Sequence, residues 1–170
     1  MAQAITIVRN ARPADAGPIC HVHDLSWREA YRGIIPGAEL EKIISRRGPQ
    51  WWKKAIQRGS NVLLLDIGDK IGGYASFGRN RVPAMRHKGE LFELYLLPEC
   101  QGLGFGRKLF LAAQNELYRY GYTSMVVWAL MENERAIEFY RSLGGREVSS
   151  GRETFGATVL KRSAFEFSLD

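Results

Sequence analysis

Hydrophobic and polar positions alternate through Ile5, Ile7 and Arg9, which predicts a short strand near the start of the chain. From Pro13 to Tyr31 the spacing turns helical, with prolines tolerated in the first turn and Gly33 just past the end. Ile34-Ile35-Pro36 then turns the chain into a second helical region carrying Leu40, Ile43 and Ile44 and later Trp51, Trp52, Ala55 and Ile56, closed by Gly59. Asn61 to Ile67 and Ile71 to Phe77 predict two strands joined at Gly68-Asp69-Lys70, a length suited to an antiparallel hairpin. A polar loop, Arg79 to Gly89, leads into Leu91 to Leu97, which is almost continuously apolar, as a strand covered on both faces should be. Pro98 ends that strand by withholding a backbone donor. Phe110, Ala113, Leu117 and Tyr120 share one face of a helix that Gly121 terminates. Met125 to Leu130 is a further strand, and Asn133 caps a helix whose Ala136, Phe139, Tyr140 and Leu143 lie together, closed by Gly144-Gly145. Glu147 to Glu153 and Ala157 to Phe167 predict a last pair of strands about Phe155-Gly156. The order is strand, two helices, three strands, helix, strand, helix, two strands, without an internal repeat or a linker.

Composition narrows the class. A chain of 170 residues is one domain at the usual ~100–200 residues each, and 45% hydrophobic residues supply a core. Disordered and fibrous states are excluded. The 24 Lys and Arg against 18 Asp and Glu give +6, which favours anionic partners. Basic clusters such as Arg46-Arg47, Lys53-Lys54 and Lys161-Arg162 are no longer than pairs, so a nucleic-acid face is not expected. Cys20 and Cys100 are too few for a disulfide framework and fit a reducing compartment. No stretch approaches the ~20 apolar residues of a membrane span, and Met1 to Arg9 lacks the pattern of a leader, so a cytoplasmic location without membrane contact is expected.

The segment carrying most chemistry is Gln101-Gly102-Leu103-Gly104-Phe105-Gly106-Arg107-Lys108, between the apolar strand and an amphipathic helix. A helix start presents unpaired N–H groups and partial positive charge, and glycine lets an anion approach them. The alternative is a tight turn that merely needs glycine. Two phosphate motifs fail on the letters. The dinucleotide pattern begun at Gly102 needs glycine where Arg107 stands, and the P-loop needs Ser or Thr after Gly-Lys, whereas Lys108 follows Arg107 and precedes Leu109.

Gln101-x-x-Gly104-x-Gly106 after Leu94-Tyr95-Leu96-Leu97-Pro98 resembles the acetyl-CoA site of the GNAT family of N-acyltransferases, and Asn133 with Ala136, Phe139, Tyr140 and Gly144 is similar to its second cofactor-contacting segment. The resemblance spans about residues 5–161 and implies a single-domain GNAT α/β fold over the chain: a mixed central sheet of about six to seven strands flanked by about four helices. It further implies that backbone N–H groups of Gly102, Leu103, Gly104, Phe105, Gly106 and Arg107 hold the CoA pyrophosphate. Leu94, Tyr95 and Leu96 would pair with the pantetheine arm as if it were another strand. Gln101, Arg107 and Lys108 sit where side chains would meet phosphate, though the two cations equally suit a solvated first turn. Asn133 belongs to the cofactor site. The co-substrate is acetyl-CoA, and no metal is expected: Cys20-His21-Val22-His23 spreads around a helix and lacks a second ligand cluster.

Acyl transfer to an amine leaves a thiolate. The phenol of Tyr140, with an ordinary pKa of ~10 against ~8.5 for a thiol, is a credible proton donor to it, the alternative being plain packing. The acceptor ammonium must lose a proton first. Glu93 is the candidate base, being the sole charge between Leu91 and Leu97, where burial would raise its pKa. The two-residue period places it on a face with Leu91, Tyr95 and Leu97. The alternative is a glutamate that faces water or pairs with an arginine, and Glu90 is the fallback. Val126-Val127-Trp128-Ala129 offers no carboxylate.

Ser26 to Pro36 resembles the acceptor-side region of the polyamine-type subgroup. Trp27 and Tyr31, four apart on one helix face, would wall an aliphatic amine or simply cover the core. The expected activity is direct acetyl transfer to a primary amine of a small molecule or peptide. A non-catalytic acyl-CoA sensor and a basic RNA- or ribosome-associated protein on the same scaffold remain the alternatives. Trp51-Trp52 or the final strand would serve a homodimer.

Overall fold

In the computed structural model, which describes residues 5–170, seven strands form one sheet. They are β1 (Ile7–Asn10), β2 (Asn61–Asp66), β3 (Ile71–Arg79), β4 (Gly89–Leu96), β5 (Ser124–Leu130), β6 (Arg146–Phe155) and β7 (Thr158–Ser168). Their order is β1-β2-β3-β4-β5-β7-β6, antiparallel throughout except for β4 with β5. Five α-helices cover the sheet: α1 (Ala16–Tyr31), α2 (Gly37–Arg46), α3 (Pro49–Gln57), α4 (Phe105–Arg119) and α5 (Glu134–Ser142). This is the expected mixed fold with one more helix than foreseen. The second helical region divides because Gly48 is extended ahead of Pro49, which disfavours helical backbone in the residue before it.

Each face of the sheet is buried by the residues whose period announced the helices. Leu109, Phe110, Ala113 and Leu117 of α4 and Tyr140 of α5 meet Leu63, Leu65, Ala75, Phe77, Leu91, Val127 and Phe165. On the opposite face Ile19, Val22 and Trp52 from α1 and α3 meet Val62, Leu64, Tyr74 and Leu97. Tyr31, Leu40 and Ile44 cover Leu130, Phe155 and Leu160. No helix among the described residues is long and apolar enough to cross a membrane.

Two irregularities in the middle of the sheet shape the surface on either side of it. In the β3–β4 ladder Ser76 lies opposite Glu93 but Phe77 lies opposite Leu91, so Phe92 is an extra, bulged residue. One inserted residue reverses the alternation. Leu91 therefore faces α4, whereas Tyr95 and Leu97 belong to the α1 side, which corrects the expectation that Glu93 shares a face with Leu91. In addition, the parallel ladder of β4 with β5 ends at Leu91 opposite Val127. Beyond it the two strands pair no further, which leaves Phe92–Leu96 with a free edge toward Trp128–Leu130.

Candidate active site

The free edge of β4 offers backbone groups. Leu97 N–H donates to Gly72 C=O at 2.8 Å. By strand alternation Leu94 and Leu96 then turn their N–H and C=O groups the other way, toward the gap beside β5. The Leu96 carbonyl accepts from Ser26 Oγ and from Gln101 Nε2, each at 3.2 Å. These two contacts brace the end of β4 against α1 and the following loop.

After a 3₁₀ turn at Pro98–Cys100, Gly102 (φ 74°) and Gly104 (φ 83°) take left-handed backbone that side-chain-bearing residues rarely adopt. Gly104 is the N-cap of α4 and no side chain caps the helix. The first α4 bond runs from Lys108 N–H to Gly104 C=O at 3.2 Å. The N–H groups of Gly102 through Arg107 find no protein acceptor among the described residues. An uncapped helix start with this many free donors suits an anion by geometry and by dipole. Gly106 serves packing instead. A Cβ there would stand 3.1 Å from the Phe139 ring, a contact tight enough to press that ring away by a few tenths of an ångström, so glycine favours this close approach of α4 to α5.

These donors open onto a groove of about 700 Å³. One wall holds Leu94, Tyr95, Leu96, Gln101, Gly102, Gly104, Gly106 and Arg107, and the other holds Asn133, Ala136, Phe139 and Tyr140. Most of the predicted cofactor residues are thus brought together. Leu103 and Phe105 were expected to act through their backbone N–H groups alone, and their side chains lie elsewhere: Leu103 points to solvent (65% exposed) and Phe105 packs into the core. For Lys108 two roles were open, and its ammonium donates to Thr6 C=O at 3.0 Å, away from the groove. Ser26, Glu29 and Arg135 also line it and were not foreseen. Glu29 accepts from Gln101 Nε2 (3.3 Å) and pairs with Arg135 (3.6 Å), a link between α1 and α5 that no sequence spacing signals.

Asn133 caps α5 as predicted, its Oδ1 accepting from Ala136 N–H at 3.3 Å. Further along the helix, Tyr140 is buried beside Phe139 and Phe110, with ring centroids at 5.2 and 6.2 Å. Tyr140 lines the groove, and its hydroxyl makes no protein hydrogen bond among the described residues. Burial, with a smaller contribution from Tyr31, pushes its pKa well above that of a free phenol, so the hydroxyl keeps its proton.

Tyr95 also lines a second cavity, of about 400 Å³, on the α1 face. The two spaces therefore meet at this residue. Tyr95 and Tyr31 share a hydrogen bond at 2.6 Å between their hydroxyls, and burial pushes the Tyr31 phenol up to about 12. Trp27 stacks on Tyr31 at 4.7 Å, so the predicted aromatic pair both covers core and walls this cavity. Glu93 lies here too, paired with an arginine as in the alternative reading of its place on the strand. Its Oε1 is ion-paired with Arg47, while Oε2 accepts from Tyr74 OH at 3.1 Å and Trp27 Nε1 at 3.3 Å. The arginine comes from the α2–α3 connection, distant in sequence, which is why spacing along β4 did not reveal it. Glu90, the fallback, is buried and fully engaged by Arg81, through the backbone N–H (3.0 Å), Nε (3.3 Å) and Nη2 (2.7 Å).

The arrangement is thus a helix start with unpaired N–H groups, a groove edged by unpaired strand, and a protonated hydroxyl, adjoining a separate cavity that holds a carboxylate. Comparison with known proteins agrees. Residues 38–144 match the model of the acetyltransferase (GNAT) family. The chain is 33% identical over 154 residues to an uncharacterized N-acetyltransferase, YuaI, of Bacillus subtilis, covering 91% of this chain and 88% of that one. It is 29% identical over 138 residues to the L-amino acid N-acyltransferase MnaT of Escherichia coli, covering 81% and 77%. Among solved structures it resembles the PaiA N-acetyltransferase of Thermoplasma acidophilum in complex with coenzyme A, with a TM-score of 0.75, 20% identity, and coverage of 93% and 98%. The chain belongs to the GNAT family of acetyltransferases.

Proposed function

We propose that this protein transfers the acetyl group of acetyl-CoA directly to a primary amine. The observation that carries the reading is the run of unpaired N–H groups from Gly102 to Arg107 at the head of a groove that also holds Tyr140 with its unpartnered hydroxyl. The N–H run fits a pyrophosphate, and Arg107 beside it adds a cation. The free edge at Leu94 and at the Leu96 N–H fits the amide-bearing pantetheine arm, which satisfies strand groups as an added strand would. Acetyl-CoA supplies the thioester and, on transfer, a thiolate leaving group.

The chain's own residues handle the protons. Tyr140 donates to the sulfur as negative charge develops there, and its raised pKa keeps it in the donating form at neutral pH. Glu93 receives the proton the amine gives up, through water at Oε1, which retains a lone pair beyond the one Arg47 uses, whereas Oε2 is filled by Tyr74 and Trp27. The position of Tyr95 between the two cavities sets where amine and thioester meet.

The test is acetyl-CoA turnover against a broad amine panel, read as free thiol with product masses. Tyr140→Phe lowers kcat by about 10²-fold, the scale of general acid catalysis, while CoA affinity changes little. Unchanged kcat would remove Tyr140 from the proton path. Tight CoA binding with no amine acetylated would favour a cofactor-sensing role.

A further inference from the structure

We infer that Arg162 is a carboxylate receptor in the second cavity, so that the acceptor is an amino acid, an amine that also carries a carboxylate. This rests on the acetyl-transfer reading and specifies its acceptor. Three guanidinium groups line that cavity, and two of them are committed: Arg47 to Glu93 and Arg81 to Glu90. Arg162 is not. Among the described residues its side chain makes no ion pair and no hydrogen bond, and its Nε is buried without an acceptor. Buried donors in native proteins are nearly always satisfied, so an orphan in a cavity wall points to a missing partner.

The setting of Arg162 suits an oxyanion. It lies on β7 opposite Leu130 and Gly151, and its guanidinium sits over the Trp128 ring at 4.2 Å from the centroid. Stacking on an aromatic face fixes the plane and leaves the in-plane N–H fork free for two oxygens at once. The indole N–H of Trp128 is likewise buried without an acceptor. Glu153, exposed at the rim, is the one other charged side chain of this cavity without an ion pair among the described residues. An acceptor bearing a cation as well as an anion accommodates both charges, whereas a simple polyamine leaves Arg162 unmatched and adjacent to like charge. The volume of about 400 Å³ suits a ligand of amino-acid size.

The experiment compares the common L-amino acids with their carboxamides as acceptors, and measures binding of N-acetyl-L-leucine and N-acetyl-L-leucinamide to the CoA-saturated protein by calorimetry. Free acids are preferred by about tenfold or more in kcat/KM, the scale of one charge-assisted contact, and the N-acetyl acid binds correspondingly better than its amide. Arg162→Gln removes the preference through KM for the acids, and Arg162→Lys restores part of it. Equal use of acids and carboxamides, or an Arg162→Gln effect equal on both, overturns the inference. Acetylation confined to amines without a carboxylate, or no binding of N-acetyl-L-leucine, overturns it too. Failure to bind CoA would instead sink the acetyl-transfer reading, and intact CoA affinity in both variants shows that they fold.

Discussion

His23 lies on α1 with no exposed surface, its Nδ1 3.1 Å from Asp24 and its Nε2 without a partner. Trp27 and Trp52 enclose the ring, at 5.4 and 5.8 Å between centroids. Burial lowers its pKa below the ordinary 6.5, outweighing the opposing pull of Asp24 and Glu93. The unfolded chain therefore binds the proton more readily than the folded one. Stability from a neutral His23 is complete above that ordinary value and is lost as pH falls below it. Urea unfolding at about pH 7.5 and about pH 5 should show the intact protein losing more stability on acidification than His23→Leu does. An equal loss in both would show that His23 does not govern the acid side. The sequence offered His23 only as a rejected metal ligand, since what matters is which tertiary neighbours wall it in. Tyr140 and Asn133, by contrast, could be read in advance, because a capping residue and a helical face are local properties. For Glu93 an arginine partner was one of the readings, but which arginine was not legible, because Arg47 reaches it from 46 positions away.

At the scale of elements, the start of α4 depends on its distance from α5, and Gly106 sets that distance. Gly106→Val should destabilise by about 1–3 kcal/mol, the usual cost of forcing extra carbons into a packed contact. It should also weaken CoA binding, because the N–H groups shift with the helix. Unfolding midpoints and a CoA titration check both, and a variant as stable and as tightly binding as the parent would show that the α4–α5 contact can yield. Periodicity revealed the strands and most of the helices to within a few residues, because each buries one face or two, and burial is written in spacing. The division of α2 from α3 was missed: apolar residues recur on both sides of Gly48-Pro49 and mask the break. The bulge at Phe92 was missed for a deeper reason. A continuous apolar run has no alternation to interrupt, so the reversal of faces between Leu91 and Glu93 leaves no trace in the letters.

Across the whole molecule, the proposed chemistry depends on one sheet that pairs imperfectly at its centre. Where β4 and β5 part after Leu91 and Val127, the groove with its uncapped helix start and the charged cavity with Glu93 and Arg162 come to border Tyr95 from opposite faces. Three long-range facts create this: the bulge, the short parallel ladder and the Tyr31–Tyr95 hydroxyl contact. None is a property of a sequence window, which is why the glycine loop was legible, while the second cavity was legible only in Trp27, Tyr31 and Glu93 and not in the arginines that join them. The proposed reaction depends above all on the α4 start serving as the anion site for the cofactor. Its most direct measurement is a titration of the isotopically labelled protein with CoA, and in parallel with pantetheine, which lacks the phosphates, following the backbone amide resonances. CoA should shift the amides of Gly102 through Arg107 strongly and pantetheine should leave them nearly still. If those amides stay unmoved while CoA binds, the pyrophosphate lies elsewhere and the α4 start is not its site.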